Sequence, residues 1–290
     1  MDKSYAFFGT SYLCQCEPEY VQDDYLIDKT NWRHVCYQTS IIRELSKRHP
    51  NNTFYNCSED GQGIDQYPKR VLECLDRYNP DVFVFEIPCG ERYTLYTNND
   101  YYQNYDLFFP VIEYKAGIPH NLKERSSPIR PAVLDSFQAT LSNQDLNEWW
   151  HRHTGDTWEL SEKQWRGYKQ VLTHTNNGVL SRHSDVMAQA QLITSHLESK
   201  GKEVYWFYWI TLNHYDTLHL KLPMLSDKCI LEWEYENHTG KTNTKFDSPN
   251  PNDDLEHWSS YWNTLCYDNN FHLHSQYMPR LSQYFDKVFK

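Results

Sequence analysis

The sequence predicts an α/β fold built on a parallel sheet. Two observations carry that expectation. Short apolar runs alternate with amphipathic helical periods through the first third of the chain, and the same grammar returns near residues 184–210. The third apolar run, Val82-Phe83-Val84-Phe85-Glu86-Ile87, also shows little polar alternation, as a strand covered on both faces would. Strand–helix repeats of this kind build parallel sheets through right-handed crossovers.

The elements follow in order. Ser4-Tyr5-Ala6-Phe7-Phe8 is a short apolar strand ended by Gly9. Over residues 32–48, Val35, Ile42 and Leu45 recur at helical spacing, and His49-Pro50-Asn51-Asn52 stops that helix. Residues 53–57 form a second strand that runs into Ser58-Glu59-Asp60-Gly61-Gln62-Gly63. Val71, Leu72 and Leu75 then mark one face of a helix closed by Asn79-Pro80, before the third strand. Later, Ser184 is placed to cap a helix carrying Val186, Ala190, Ile193 and Leu197, ended by Lys200-Gly201. The run 204–210, Val-Tyr-Trp-Phe-Tyr-Trp-Ile, is the strongest strand signal in the chain, and residues 277–289 read as a closing helix.

Two stretches break the rhythm: 94–183, polar and rich in Tyr and Asn, and 217–262, with a loop of Asn, Asp and Pro. Helices are expected in the first of them near 144–153 and 161–172. With no Gly/Ser linker and no repeat, these read as large insertions on a single domain spanning 1–290. Trp149, Trp150, Trp158, Trp165 and Trp233 fall in these polar stretches and suit either a sugar-stacking cleft or a protein interface. Trp206 and Trp209, in the strongest strand, are expected in the core.

Composition narrows the function classes. A formal charge of −11 without a basic tail argues against nucleic-acid binding by counterion release. No apolar stretch approaches the roughly 18 residues of a membrane span, and no basic-then-apolar leader begins the chain, so a soluble, cytoplasmic or virion-associated protein is expected. The low-Gly, Tyr- and Asn-rich composition suits a viral protein. The eight cysteines and the histidines show no metal spacing. Reduced thiols are expected, with neither metal nor organic cofactor.

The candidate chemistry lies at the ends of the chain. Phe8-Gly9-Thr10-Ser11 puts a serine on the turn after the first strand, and Asp268-Asn269-Asn270-Phe271-His272-Leu273-His274 lies before the closing helix. Serine, imidazole and carboxylate are the components of nucleophilic acyl transfer. Other polar groups also follow predicted strands, including Cys89-Gly90-Glu91-Arg92 and Asn213, His214 and Asp216. Each feature has a plainer reading: Ser11 as a turn or helix cap, the histidines as surface groups, Gly61 and Gly63 as loop glycines, Glu91 and Arg92 as a local ion pair.

In this order the chain resembles the SGNH/GDSL hydrolase family. Phe8-Gly9-Thr10-Ser11 is similar to its first block, Gly61 or Gly63 to the glycine of its second, and Asp268 with His272 to its final Asp-x-x-His block. The resemblance implies a three-layer, flavodoxin-like sandwich that hydrolyses esters, often acetyl groups on carbohydrate. It implies Ser11 as nucleophile, His272 as base and Asp268 as its orienting carboxylate. The backbone N–H groups of Ser11 and of Gly61 or Gly63 would form the oxyanion hole. The chain also departs from the pattern. Ile87-Pro88-Cys89-Gly90 stands where the third block carries an oxyanion Asn, leaving Arg92 or Asn213 as substitutes. The Asp–His spacing is one residue longer than usual, Asn269 stands where Asp is expected, and His274 competes with His272. The rival expectation is a catalytically degraded member of this fold serving in binding or virion assembly, with a protein partner on the aromatic insertions.

Overall fold

The structure is a computed structural model that describes residues 2–10, 13, 40–58, 63–88, 92–95, 111–120, 132–135, 141–154, 159–173, 175–209, 222–240, 261, 264–265 and 273–289. Its main sheet has six strands: β1 (Ser4–Phe8), β2 (Thr53–Asn56), β3 (Val82–Glu86), β5 (Ile112–Lys115), β6 (Ile118–His120) and β8 (Glu203–Phe207). They lie in the order β6-β5-β2-β1-β3-β8. β2, β1, β3 and β8 run parallel, whereas β5 and β6 add an antiparallel edge. A separate two-stranded sheet pairs β4 (Arg92–Leu95) with β7 (Ala132–Asp135).

The run that showed no alternation is buried along its whole length: all five residues of β3 are inaccessible. Alternate side chains serve opposite faces, as the two-residue period of a strand requires. Tyr5, Phe7, Phe54, Val82 and Val84 enter one apolar cluster; Ala6, Phe8, Phe83 and Phe85 enter the other. α1 (Ile41–Arg48) and the C-terminal segment cover the first face with Ile41, Leu45, Leu281 and Phe285. α2 (Tyr67–Arg77) and the long helix over Thr175–Ser199 cover the second with Val71, Val186, Ala190 and Leu197. Helices on both faces of a mostly parallel sheet establish the α/β class.

Local signals account for the helix ends, and two expectations are corrected. The helix predicted from residue 32 begins at Ile41, because Ser40 has extended backbone and its hydroxyl accepts the Arg43 N–H at 3.2 Å. Ser184 is not a cap; it lies inside the helix that begins at Thr175, where propensity is overridden through Asn176, Asn177 and Gly178. That helix does stop as expected: Gly201 takes a positive φ, and the Lys202 N–H bonds the Leu197 carbonyl at 3.1 Å.

The stretch 94–183 is only partly peripheral, since β5 and β6 belong to the main sheet. Ala116 and Gly117, both with positive φ, make the tight turn between them. Gly117 is held against α1 by its N–H to the Ser46 hydroxyl and by the Arg43 guanidinium on its carbonyl. The two helices expected in that stretch are α3 (Asn143–Thr154) and α4 (Glu162–Thr173); the long helix Thr175–Ser199 is therefore α5.

The tryptophan expectation is corrected here. Trp149, Trp150 and Trp165 are 6%, 4% and 0% exposed, and they form a small core with Leu146 and Leu160. Amphipathic helices this short need such a core. Asn147 secures it, accepting the Trp165 indole N–H at 2.7 Å and the Leu160 N–H at 3.0 Å. These three rings are not free for a sugar or a partner. Trp233 is half-buried against Tyr284, and the side chain of Trp158 lies outside the described residues. Trp206 and Trp209 are core as expected. Among the described residues, no helix is long and apolar enough to cross a membrane.

The last segment comprises a 3₁₀ turn (Ser275–Tyr277), α7 (Met278–Leu281) and a 3₁₀ stretch (Ser282–Phe289); α6 is Ile230–Thr239. Phe285 packs on Phe7 with ring centroids 5.7 Å apart, and Phe289 packs on Tyr5 at 4.8 Å. The segment therefore runs antiparallel to β1, and its beginning lies toward the carboxyl edge of the sheet.

Two outcomes follow. Phe285→Ala empties a site against Phe7 and Phe207 and should lower unfolding free energy by about 3–5 kcal/mol in urea titrations. His49 stacks on Phe289 at 4.0 Å, and burial, with the Arg48 charge, holds its imidazole below its usual range. Such a group stabilises the fold above about pH 6.5, and the contribution is lost as pH falls through the depressed folded value. Urea midpoints between pH 8 and 5 should fall less steeply in His49→Gln than in the parent.

Candidate functional site

The carboxyl ends of β1, β2, β3 and β8 share one edge. The chain leaves β1 for β2 on one side and returns to β3 on the other, so the strand order reverses beside β1. Open α/β sheets bind ligands beyond such a reversal, where diverging connections leave a crevice. Polar side chains gather there although the strands beneath are apolar: Thr10, Asn56, Ser58 and Glu86 are all 3% exposed or less.

A carboxylate clamp joins the ends of β1 and β3. Glu86 Oε2 accepts the Thr10 N–H at 2.7 Å, and Oε1 accepts the Thr10 hydroxyl at 2.7 Å. Hydrogen bonds to an ionised acceptor in dry surroundings are short and strong. The Glu86 carbonyl accepts the Tyr67 hydroxyl at 2.9 Å, which fixes α2 to the same point. Glycine at position 9 makes the approach feasible. A Cβ there would stand 2.6 Å from Glu86 Oε2 and 2.5 Å from Leu13 Cδ1. Beyond the clamp the chain turns, with the Leu13 N–H on the Thr10 carbonyl at 3.1 Å. At the end of β2, Asn56 Oδ1 accepts the Ser58 N–H at 3.0 Å and turns the chain off the strand.

Of the predicted site residues, Ser11, Gly61, Asn213, Asp268 and His272 lie outside the described residues. Gly63 precedes the 3₁₀ turn Ile64–Gln66, and its carbonyl accepts the Gln66 N–H. Arg92 opens β4, opposite Asp135 of β7, in the small sheet beside that turn. His274 is half-buried, its N–H bonded to the Leu265 carbonyl at 2.9 Å and its ring edge-on to Tyr277 at 6.1 Å. Leu13, two residues past Ser11, and Leu273, between the two histidines, belong to one apolar cluster. Both ends of the chain therefore enter the same helical layer, on one face of the sheet.

In the sequence Glu86 stands only as the one polar residue of the apolar run 82–87. Its signal was the cost of burying a carboxylate, which demands donors nearby. Which donors answered that demand depends on the β1–β3 register, in which Phe8 faces Phe85 and so brings Thr10 near Glu86. Among the described residues, no three of His, Cys, Asp and Glu gather into a metal-binding group. No protein-family model, curated protein or solved structure matches this chain.

Replacing Glu86 tests the clamp. Glu86→Leu strands the buried Thr10 N–H and should cost on the order of 1–3 kcal/mol, whereas Glu86→Gln keeps an acceptor for it and should cost less. Gly9→Ala should destabilise as well, because its methyl meets both Glu86 and Leu13. Thermal and urea unfolding would measure all three; equal stability of the Leu and Gln variants would refute the clamp.

Proposed function

We propose that this chain is a serine hydrolase of the SGNH type, acting on an ester such as an O-acetylated carbohydrate. The observation that carries this reading is the convergence of the two chain ends. The turn after β1 lies at the strand-order reversal, and the C-terminal segment runs antiparallel to β1, so the Leu273-His274 connection enters from the same carboxyl edge. The order β2-β1-β3-β8 supports a flavodoxin-like reading of the core.

On this reading His272 takes the Ser11 proton as Oγ attacks the ester carbonyl, and Asp268 holds the imidazole tautomer. The leaving alcohol takes the proton back, an acyl-enzyme remains, and water activated by the same imidazole releases the acid. His274 is the alternative base. The N–H groups of Ser11 and of Gly61 or Gly63 face the developing oxyanion, with Arg92 or Asn213 as further donors. Glu86 is a positioning residue: by fixing Thr10 it fixes the backbone from which Ser11 projects.

A second reading is favoured by the same carboxylate. Glu86 places a buried carboxyl group against Thr10, one residue from Ser11, and Ile87-Pro88-Cys89-Gly90 offers no Asn donor. Negative charge close to an oxyanion opposes its formation. A degraded SGNH-like protein that binds a ligand or assembles into a virion would tolerate that charge.

Labelling with a fluorophosphonate separates the two, read by intact mass and peptide mapping. The hydrolase reading expects one adduct on Ser11, none in Ser11→Ala, and aryl acetate hydrolysis lowered roughly 10⁴-fold in that variant. Folded protein that takes no label supports the binding role.

A further inference from the structure

Cys57 and Cys74 lie outside the proposed hydrolytic chemistry. Cys57 follows the last residue of β2, and Cys74 is in α2. Both are 1% exposed and unbridged, and their sulfur atoms are 3.8 Å apart with the Cys57 S–H donating to Cys74. They line one small, partly open pocket together with Arg70, Glu73, Arg77, Tyr78 and Val111. Two thiols in one pocket, 17 residues apart in sequence, are a different object from a lone buried cysteine. A disulfide needs its sulfurs about 2 Å apart, so each must move by only about 0.9 Å, within the reach of a small χ1 rotation.

We propose that Cys57 and Cys74 form a reversible oxidation site that closes to an intramolecular disulfide, with hydrogen peroxide or a small hydroperoxide as oxidant. One sulfur, as thiolate, attacks a peroxide oxygen. The O–O bond breaks, the leaving hydroxide takes a proton, and a sulfenic acid and water result. The second sulfur then attacks the sulfenic sulfur, the S–O bond breaks, and a second water leaves as the S–S bond forms. Two thiols are oxidised and one peroxide is reduced to two waters.

The surroundings set the pace of the first step. The hydrogen bond with Cys57, then burial, holds the Cys74 thiol well above its usual range, while the Arg70 guanidinium pulls the other way. Cys74 is therefore held as the thiol near neutral pH, and oxidation accelerates as pH rises. Once formed, the bridge would tie the carboxyl end of β2 to α2 across the segment that carries Gly61 and Gly63.

The full-length reduced protein is treated with a slight excess of hydrogen peroxide at pH 7 and pH 9, with circular dichroism confirming the folded state. Free thiols are then alkylated in denaturant, and peptides are mapped without reduction. The expected product is a peptide pair joined through Cys57 and Cys74, formed faster at pH 9 and abolished by dithiothreitol. In Cys74→Ala the same treatment should leave Cys57 as a sulfenic acid that dimedone traps. Should that variant fail to fold, the mapping of the parent protein decides alone. Recovery of Cys57 and Cys74 both alkylated while other cysteines oxidise, or either joined to a different cysteine, overturns the proposal.

Discussion

A central strand buried on both faces constrains everything else in this molecule. β1 lies between β2 and β3 in parallel register, so from Tyr5 to Phe8 neither of its faces nor either of its edges meets water. Each face must be covered by helices, because a parallel sheet offers no other way to remove both surfaces from solvent. Aromatic rings do much of that covering. Phe7, Phe54 and Phe285 meet on one side, and Phe8, Phe85, Tyr67 and Trp206 on the other. Large rings fill the interlayer space with few residues, and edge-on pairs add somewhat more than burial alone.

The same constraint concentrates polarity at the sheet's edge. A strand interior that excludes water has no place for a carboxylate, so Glu86 comes at the last position of β3, where the Thr10 amide, two residues beyond β1, can satisfy it. The clamp then does two things at once. It closes the ends of β1 and β3 without adding a ladder pair, and it fixes a buried carboxyl group against Thr10.

The aromatic residues show how a sequence misleads about surroundings. Trp149, Trp150 and Trp165 lie among charged and amide side chains, which suggested exposed rings. Folded, α3 and α4 turn those polar neighbours outward and bury the rings against each other, with Asn147 answering the indole N–H. Composition along the chain reports an average over both faces of a helix; burial depends on one face. The β5–β6 hairpin is hidden in the sequence for a related reason. Its strands are too short to show a period, and only the unpaired edge of β2 gives them a partner.

By itself the sequence determined the α/β class, the strands β1, β2, β3 and β8, the helices that alternate with them, and the burial of Trp206 and Trp209. Those follow from local periodicity and continuous apolarity, which survive in any arrangement of the parts. It also presented Gly9-Thr10-Ser11 and the late Asp/His group as chemistry awaiting a location. Tertiary structure alone decided the strand order, the antiparallel edge, the Glu86–Thr10 clamp, the approach of Cys57 to Cys74, and the direction from which the C-terminal segment enters. Each is a meeting of residues far apart in the chain, fixed by sheet register and by which face a helix covers. No local pattern encodes such meetings.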